Sequence, residues 1–149
     1  MNAIAIREAT VDDVANILAL YQDAGIESAT PFTPEEASAH FAVFAQYPNY
    51  HLYVAELDSE IVGTYALLIM DNLAKRGRRS GIVEDVAVAP ARQGQGIGRA
   101  MMQHAREQCI EADCYKMMLS SGQQRYRAHA FYDSLGMKRH GVSFLTQLD

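Results

Sequence analysis

A chain of 149 residues with 49% apolar and 21% charged residues has the composition of one globular domain, here residues 1–149. Its formal charge of −5 argues against a nucleic-acid partner, and its two cysteines, Cys109 and Cys114, make neither a disulfide framework nor a metal pattern. No run reaches the ~18 apolar residues of a membrane span, and "MNAIAIREAT" lacks a secretory pattern, so a cytoplasmic protein with no membrane partner is expected.

In chain order, "AIAIRE" alternates as a short strand. Val11, Val14, Ile17, Leu18 and Tyr21 then recur at helical spacing, with Thr10 and Asp13 as a capping box and Gly25 as the stop. A second helix starts at "TPEE", where Thr33 caps, Pro34 opens the first turn and Glu36 completes the box. "YHLYVAEL", "DSE" and "IVGTYALLIM" read as a hairpin, and "GIVEDVAVAP" as a further strand stopped by Pro90. Between them lies a basic loop with Lys75, Arg76, Arg78 and Arg79. A third helix spans about Ile97 to Glu111, "YKMMLSS" is a strand, "RAHAFYDSLG" a short helix and "VSFLTQL" a last strand. The expected order is β-α-α-β-β-β-α-β-α-β, an α/β pattern.

The densest signal is "RQGQGIGR", three glycines at alternate positions between a strand and a helix. Such a junction offers unpaired amides and a helix dipole to an anion, while glycine lets a phosphate approach the backbone. A Walker loop would need Lys-Ser/Thr after Gly98, where Arg99-Ala100 stands. A dinucleotide fingerprint would need its third glycine one residue later, and an acidic residue where Ser120 and Ser121 stand. Arg92 and Arg99 flank the loop as further candidates for phosphate charge.

The segment "VAVAPARQGQGIGRAMMQHA" resembles the acetyl-CoA signature of the GCN5-related N-acetyltransferases (GNAT), Q/R-x-x-G-x-G/A, filled here by Gln93, Gly96 and Gly98. "AHAFYDSLGMKRHG" resembles the family's later A-x-x-F-Y-x-x-x-G-F segment. The resemblance implies a GNAT-type mixed, mostly antiparallel sheet with helices on both faces and a strand splay at the acetyl-CoA site. It also implies that Val86, Ala87 and Val88 pair with the pantetheine arm. Main-chain amides of Gln93, Gly94, Gln95, Gly96, Ile97, Gly98 and Arg99 would hold the pyrophosphate. One departure stands out: Arg125 occupies the place, seven residues before the tyrosine, where the family often has a cofactor-contacting Asn.

Acetyl transfer to an amine needs a base for the ammonium, whose pKa lies near ~10, and an acid for the departing thiolate. By the resemblance Tyr132 is the acid, with Tyr126 as a fallback, and the Val86 amide is the carbonyl stabiliser. Glu84 and Asp85 are the candidate bases, Glu84 first because similar family members carry "ED" in this strand. Period-two alternation sends the two to opposite faces, and burial would raise the pKa of the one that faces inward. His129, three residues before Tyr132, is a candidate relay.

The acceptor is expected between the first two helices, "AGIESATPFT", with Tyr21, Glu27 and Phe32 as specificity residues. Glu27 suits a cationic amine, whereas Arg76 and Arg78 suit a carboxylate or phosphate. The leading expectation is an acetyl-CoA-dependent N-acetyltransferase, an acyltransferase acting on a small-molecule primary amine by direct attack in a ternary complex without a metal. A homodimer is compatible with such a fold. A non-catalytic acyl-CoA sensor or scaffold and a protein lysine or N-terminal acetyltransferase are the alternatives.

Overall fold

The computed structural model describes residues 3–27 and 30–149, and the chain divides into two compact units, Met1–Met118 and Leu119–Asp149. The first unit carries the sheet, with strands β1 (Ala5–Glu8), β2 (Tyr50–Leu57), β3 (Glu60–Met70), β4 (Arg79–Val88) and β5 (Cys114–Met118). Their spatial order is β1-β2-β3-β4-β5, antiparallel throughout except for the parallel β4–β5 pair. This is the mixed, mostly antiparallel arrangement expected. The β2–β3 hairpin closes through Asp58 and Ser59, both at positive φ, as the twist of a two-residue turn demands.

Helix α1 (Val14–Asp23) follows a single 3-10 turn over Val11–Asp13. The Asp13 carboxylate accepts the Thr10 amide at 2.8 Å and also takes a two-pronged contact from Arg7 at 2.7 and 2.9 Å. That guanidinium, first among several causes, holds the Asp13 carboxyl below its usual range. Helix α2 (Pro34–Phe44) begins at the expected capping box, Glu36 N to Thr33 Oγ1 at 3.2 Å and Thr33 N to Glu36 Oε1 at 3.1 Å.

Neighbouring residues of β2 separate the two faces of the sheet. Val54, fully buried, packs with Ile17 of α1, with Tyr21 and Phe41 around them. Tyr53 points the other way, its ring 4.8 Å from that of His104 on α3 (Ile97–Glu111). Helices therefore cover both faces, which is why β3 reads as one continuous apolar run instead of alternating. Helix α3 comes so close to β3 that a Cβ on Gly63 would lie 2.9 Å from Ile97 Cγ2.

The second unit contains α4 (Tyr126–Ser134). It stops at Gly136, at φ +81°, whose amide reaches Asp133 O, while the Met137 amide reaches Tyr132 O. The expected final strand does not form: residues 142–148 belong to no strand, and Val142, Phe144, Leu145 and Leu148 lie open to solvent. Alternation alone makes a segment suited to pairing, but a strand also needs a partner in register. Among the described residues no helix is long and apolar enough to cross a membrane, and no group of three or more His, Cys, Asp or Glu is arranged to hold a metal.

Candidate active site

Strand β4 positions the reacting end. Its parallel pairing with β5 runs from Arg79↔Cys114 to Ile82↔Met118, and among the described residues no strand pairs with that side of β4 from there to Val88. The backbone of Val86, Ala87 and Val88 thus lies beyond the last β5 pair. The other edge of β4 stays tied to β3, and the Ala89 amide closes the end on Val62 O at 2.8 Å.

Within this stretch the β3–β4 register jumps. Thr64 pairs with Ala87 and Ala66 with Glu84, so Asp85 and Val86 together oppose Tyr65. Asp85 takes φ +52°, a left-handed backbone in mid-strand, which is a β-bulge with aspartate at its crossing point. The bulge interrupts the period-two alternation at Asp85. Glu84 shares a cross-strand row with Ala66 and Leu52, the last of which packs on the α1 side. Asp85 acts electrostatically on Tyr21 of α1 and on Tyr50 of β2, raising both phenols after desolvation.

Both carboxyls reach solvent rather than being buried. The protein packed around them nevertheless makes their charged forms costlier. Desolvation first and Asp85 second push Glu84 up; desolvation first and Glu27 second push Asp85 up. Two adjacent carboxylates with raised pKa values can accept a proton from an ammonium or from a water beside it.

The glycine loop follows β4 after one 3-10 turn, Pro90–Arg92. Gly94 and Gly96 adopt φ +80° and +85°, and a Cβ at either would meet nothing within 4 Å. Glycine is required here by the backbone, and the space in front of it is open. Gly96 caps α3 without a side chain, and the first helical bond runs from Ala100 N to Gly96 O at 3.0 Å. The amides of Ile97, Gly98 and Arg99 therefore face out of the helix end, where the dipole favours an anion. Ile97, 1% exposed, is the anchor that seats this end on Gly63. Gln93, Gly94, Gln95, Gly96 and Arg99 are exposed. Arg92 is engaged elsewhere, with Nη2 2.7 Å from Glu60 Oε2.

Tyr21, Glu27 and Asp85, expected from sequence at or near the acceptor, are linked electrostatically, and Tyr50, which no sequence motif singled out, joins them. Tyr50 lies at the start of β2 with its ring 4.4 Å from that of Phe44. Its only sequence signal was aromatic character at a strand end. Burial raises the Tyr21 and Tyr50 phenols, and every charge acting on either is negative: Asp85 and Glu27 on Tyr21, Asp85 and Glu84 on Tyr50. Phe32 is half-exposed and lies against His40 of α2, with ring centres 5.3 Å apart; it is not among the groups acting on this cluster. Ser28 and Ala29 of the expected acceptor segment lie outside the described residues.

The basic loop is largely engaged in local contacts. Arg78 reaches Asp113 and the Cys114 carbonyl, Arg79 pairs with Asp71 at 3.0 Å, and Lys75 stands over the Tyr115 ring. In the second unit, Tyr132 on α4 is half-buried; burial raises its phenol and Arg125 opposes the rise. A neutral phenol is the form able to donate a proton. His129 Nε2 is 2.8 Å from Gly122 O, a contact that holds the loop before α4. Ser121 Oγ, also unforeseen from sequence, is buried with no hydrogen-bond partner among the described residues.

Comparison with known proteins agrees with this geometry. The Acetyltransferase (GNAT) family model matches residues 17–137. A glucosamine 6-phosphate N-acetyltransferase of Trypanosoma brucei brucei is 35% identical over 80 residues, which span 54% of this chain and 52%, about half, of that protein. Thialysine N-epsilon-acetyltransferase of Bos taurus is 30% identical over 146 residues, covering 91% of this chain and 85% of that protein. The solved structure of a putative acetyltransferase from Agrobacterium tumefaciens str. C58 superposes with a TM-score of 0.91 at 35% identity, covering 97% of this chain and 99% of that one.

Proposed function

The chain belongs to the GNAT acetyltransferase family, and we propose that residues 1–149 form one catalytic domain that acetylates a small cationic primary amine from acetyl-CoA, by direct attack in a ternary complex. The observation that supports the reading is the β4 bulge at Asp85 and Val86, next to Glu84 and just beyond the last β5 pair, with both carboxylates acting on Tyr50. Acetyl-CoA fits the residues present: the open space at Gly94 and Gly96 admits a pyrophosphate, and the outward amides of Ile97, Gly98 and Arg99 would bind it. The β4 edge beyond the last β5 pair would take the pantetheine arm. When bound, the cosubstrate supplies an activated acetyl thioester.

The residues then divide the work. Glu84, with Asp85 beside it, takes the proton from the acceptor ammonium, directly or through one water. The Val86 amide, which has no register partner of its own, donates to the acetyl oxygen as negative charge develops there. Tyr132 returns a proton to the departing sulfur. Tyr21, Glu27 and Tyr50 orient the amine.

The acceptor end supports an ammonium and disfavours a phosphate, since the charges acting on Tyr21, Tyr50 and Asp85 are carboxylates. Of the acceptors named for relatives, an aliphatic side-chain amine such as that of thialysine suits this end better than a sugar phosphate. The test is calorimetric titration with acetyl-CoA, followed by thiol release across aliphatic amines, amino sugars and their phosphates. The reading expects binding and release with aliphatic cationic amines. Binding without release from any amine favours a sensor, and preference for a phosphorylated amine overturns the acceptor assignment.

A further inference from the structure

The acetyl-transfer reading uses neither of the chain's two cysteines, yet the fold brings them together. Cys109 lies in the last turn of α3 and Cys114 opens β5. Between them the helix is capped by Ala112, and Asp113 follows at φ +56°, in the left-handed region. The Asp113 amide returns to Ile110 O at 3.0 Å. At a helix end of this kind the next residue folds back against the helical residue five positions earlier, and apolar side chains normally meet there. Here those two residues are Cys114 and Cys109, and their thiols are hydrogen-bonded to each other.

Strand β4 holds the pair from the other side. Cys109 is 4% exposed, and its sulfur fills the space that a side chain on Gly81 would need, since a Cβ there would overlap Cys109 Sγ. Gly81 pairs with Met117, and Arg79 with Cys114. The strand that seats the buried thiol is therefore also the ladder partner of the strand that carries the other.

The two thiols differ in access and in surroundings. Desolvation first, and Cys114 second, push the buried Cys109 thiol up to about 12. Cys114 is half-buried; desolvation raises its thiol as well, with Asp113 adding to the rise, while the bond from Cys109 and the charges of Arg79 and Arg78 oppose it. Cys114 is thus the thiol that meets an oxidant first, and Cys109 the one placed to follow.

We propose that Cys109 and Cys114 are a thiol modification site, closing a reversible disulfide that staples the end of α3 to the start of β5, independently of the acetyl-transfer reading. With hydrogen peroxide as oxidant, Cys114 loses its proton and its sulfur attacks one peroxide oxygen. The O–O bond breaks, and the released hydroxide takes up that proton as water. The Cys109 sulfur then attacks the sulfenic sulfur of Cys114, forming the S–S bond and breaking the S–O bond. The departing hydroxide takes the Cys109 proton as a second water. Two thiols are oxidised, one peroxide is reduced to two waters, and a dithiol reductant reverses the change. The neighbouring thiol thereby diverts an oxidised Cys114 from sulfinic acid into a state that reductants repair.

The test exposes the folded full chain to hydrogen peroxide, then unfolds it, alkylates the remaining thiols and digests it with trypsin. Both cysteines fall in one methionine-free peptide, "EQCIEADCYK", residues 107–116, whose mass reports their state. The wild-type peptide is expected two hydrogens lighter than its reduced form, without alkyl groups, and restored by a dithiol. In glutathione redox buffers the effective thiol concentration within the pair should be about tenfold or more higher in the folded chain than in urea. Cys109→Ser should leave Cys114 to gain two oxygens that a dithiol does not remove, and Cys114→Ser should leave Cys109 unoxidised. A peptide that keeps both thiols, a disulfide joining two chains, or an effective concentration no higher folded than unfolded overturns the proposal. So does a Cys114→Ser chain whose Cys109 oxidises as fast as the wild-type pair. The wild-type measurements need no variant.

Discussion

The glycine loop at Gln93–Arg99 and the bulge at Glu84–Val86 both bend the backbone into the left-handed region, but they do so with opposite chemistry. Gly94 and Gly96 reach φ +80° and +85° with no side chain, leaving open space lined by amides. Asp85 reaches φ +52° with a carboxylate attached, in one of the few residue types that tolerate it. One region removes side chains so that an anion can approach the backbone. The other keeps side chains, two adjacent carboxylates at a bend in the strand. The two are also mechanically joined: Tyr65, the residue the bulge opposes, sends its hydroxyl to His104 Nδ1 on α3 at 2.7 Å, and the first turn of α3 lies on Gly63 of the same strand. The comparison teaches that the proposed cosubstrate end rests on backbone geometry and the proposed acceptor end on charge.

If that division is right, substitutions should separate binding from chemistry. Gly96→Asp places a negative charge where the proposed pyrophosphate meets the helix end, and is expected to weaken acetyl-CoA binding by ~100-fold or more by calorimetry. Unchanged affinity would remove the loop from the binding site. Tyr132→Phe belongs to neither region and asks whether they suffice alone. Turnover should fall by about 100-fold with acetyl-CoA affinity intact, as for loss of a general acid; full activity would return Tyr132 to a packing role.

Glu84→Gln should lower kcat/KM by roughly tenfold or more and leave acetyl-CoA affinity in place. A base must be deprotonated to act, so wild-type kcat/KM rises as pH climbs through the Glu84 titration. Desolvation and Asp85 place that titration above the ordinary carboxylate range. The acid limb should vanish in the variant, and a limb that persists unchanged would assign it to another group.

Gly63→Ala sharpens the mechanical link. Its Cβ would press on Ile97 Cγ2 at 2.9 Å and on Met101 Sδ at 3.1 Å, costing about 1–3 kcal/mol of stability by overpacking. Acetyl-CoA affinity should drop with it as the helix end shifts. Loss of stability without loss of affinity would uncouple the two regions.

The smallest expected effect carries a sign that decides its cause. The folded state raises the Asp85 pKa, so it binds protons more tightly than the unfolded chain, and Asp85 lowers stability as pH rises through its titration. Asp85→Asn, which keeps a residue suited to φ +52°, should raise Tm slightly at neutral pH and not below the unfolded-state pKa of ~3.9, while activity falls. A lower Tm at neutral pH would mean that the carboxylate stabilises the bulge rather than straining it.

Elements built on local chemistry were legible from sequence. Both helix starts, at Thr10 with Asp13 and at Thr33 with Glu36, rest on contacts three residues apart, and the Gly136 stop on a backbone conformation. The glycine loop belongs to this class, because positive φ in glycine next to a helix start is written in consecutive residues. The bulge beside Glu84 was not legible. Alternation predicted a regular strand, and the interruption at Asp85 follows from the register against Thr64 and Ala66 on another strand. Tyr50 likewise enters the acceptor end through the fold, far in sequence from Asp85.

The sequence by itself determined which elements form through Ser134, which glycines bend and which residue types stand at the reacting strand, because these depend on neighbours a few residues apart. Only the tertiary structure decided which side chains share a face, where β4 parts from β5, and that residues 142–148 belong to no strand. Those outcomes depend on pairing between distant segments, where one residue of register turns a side chain to the other face.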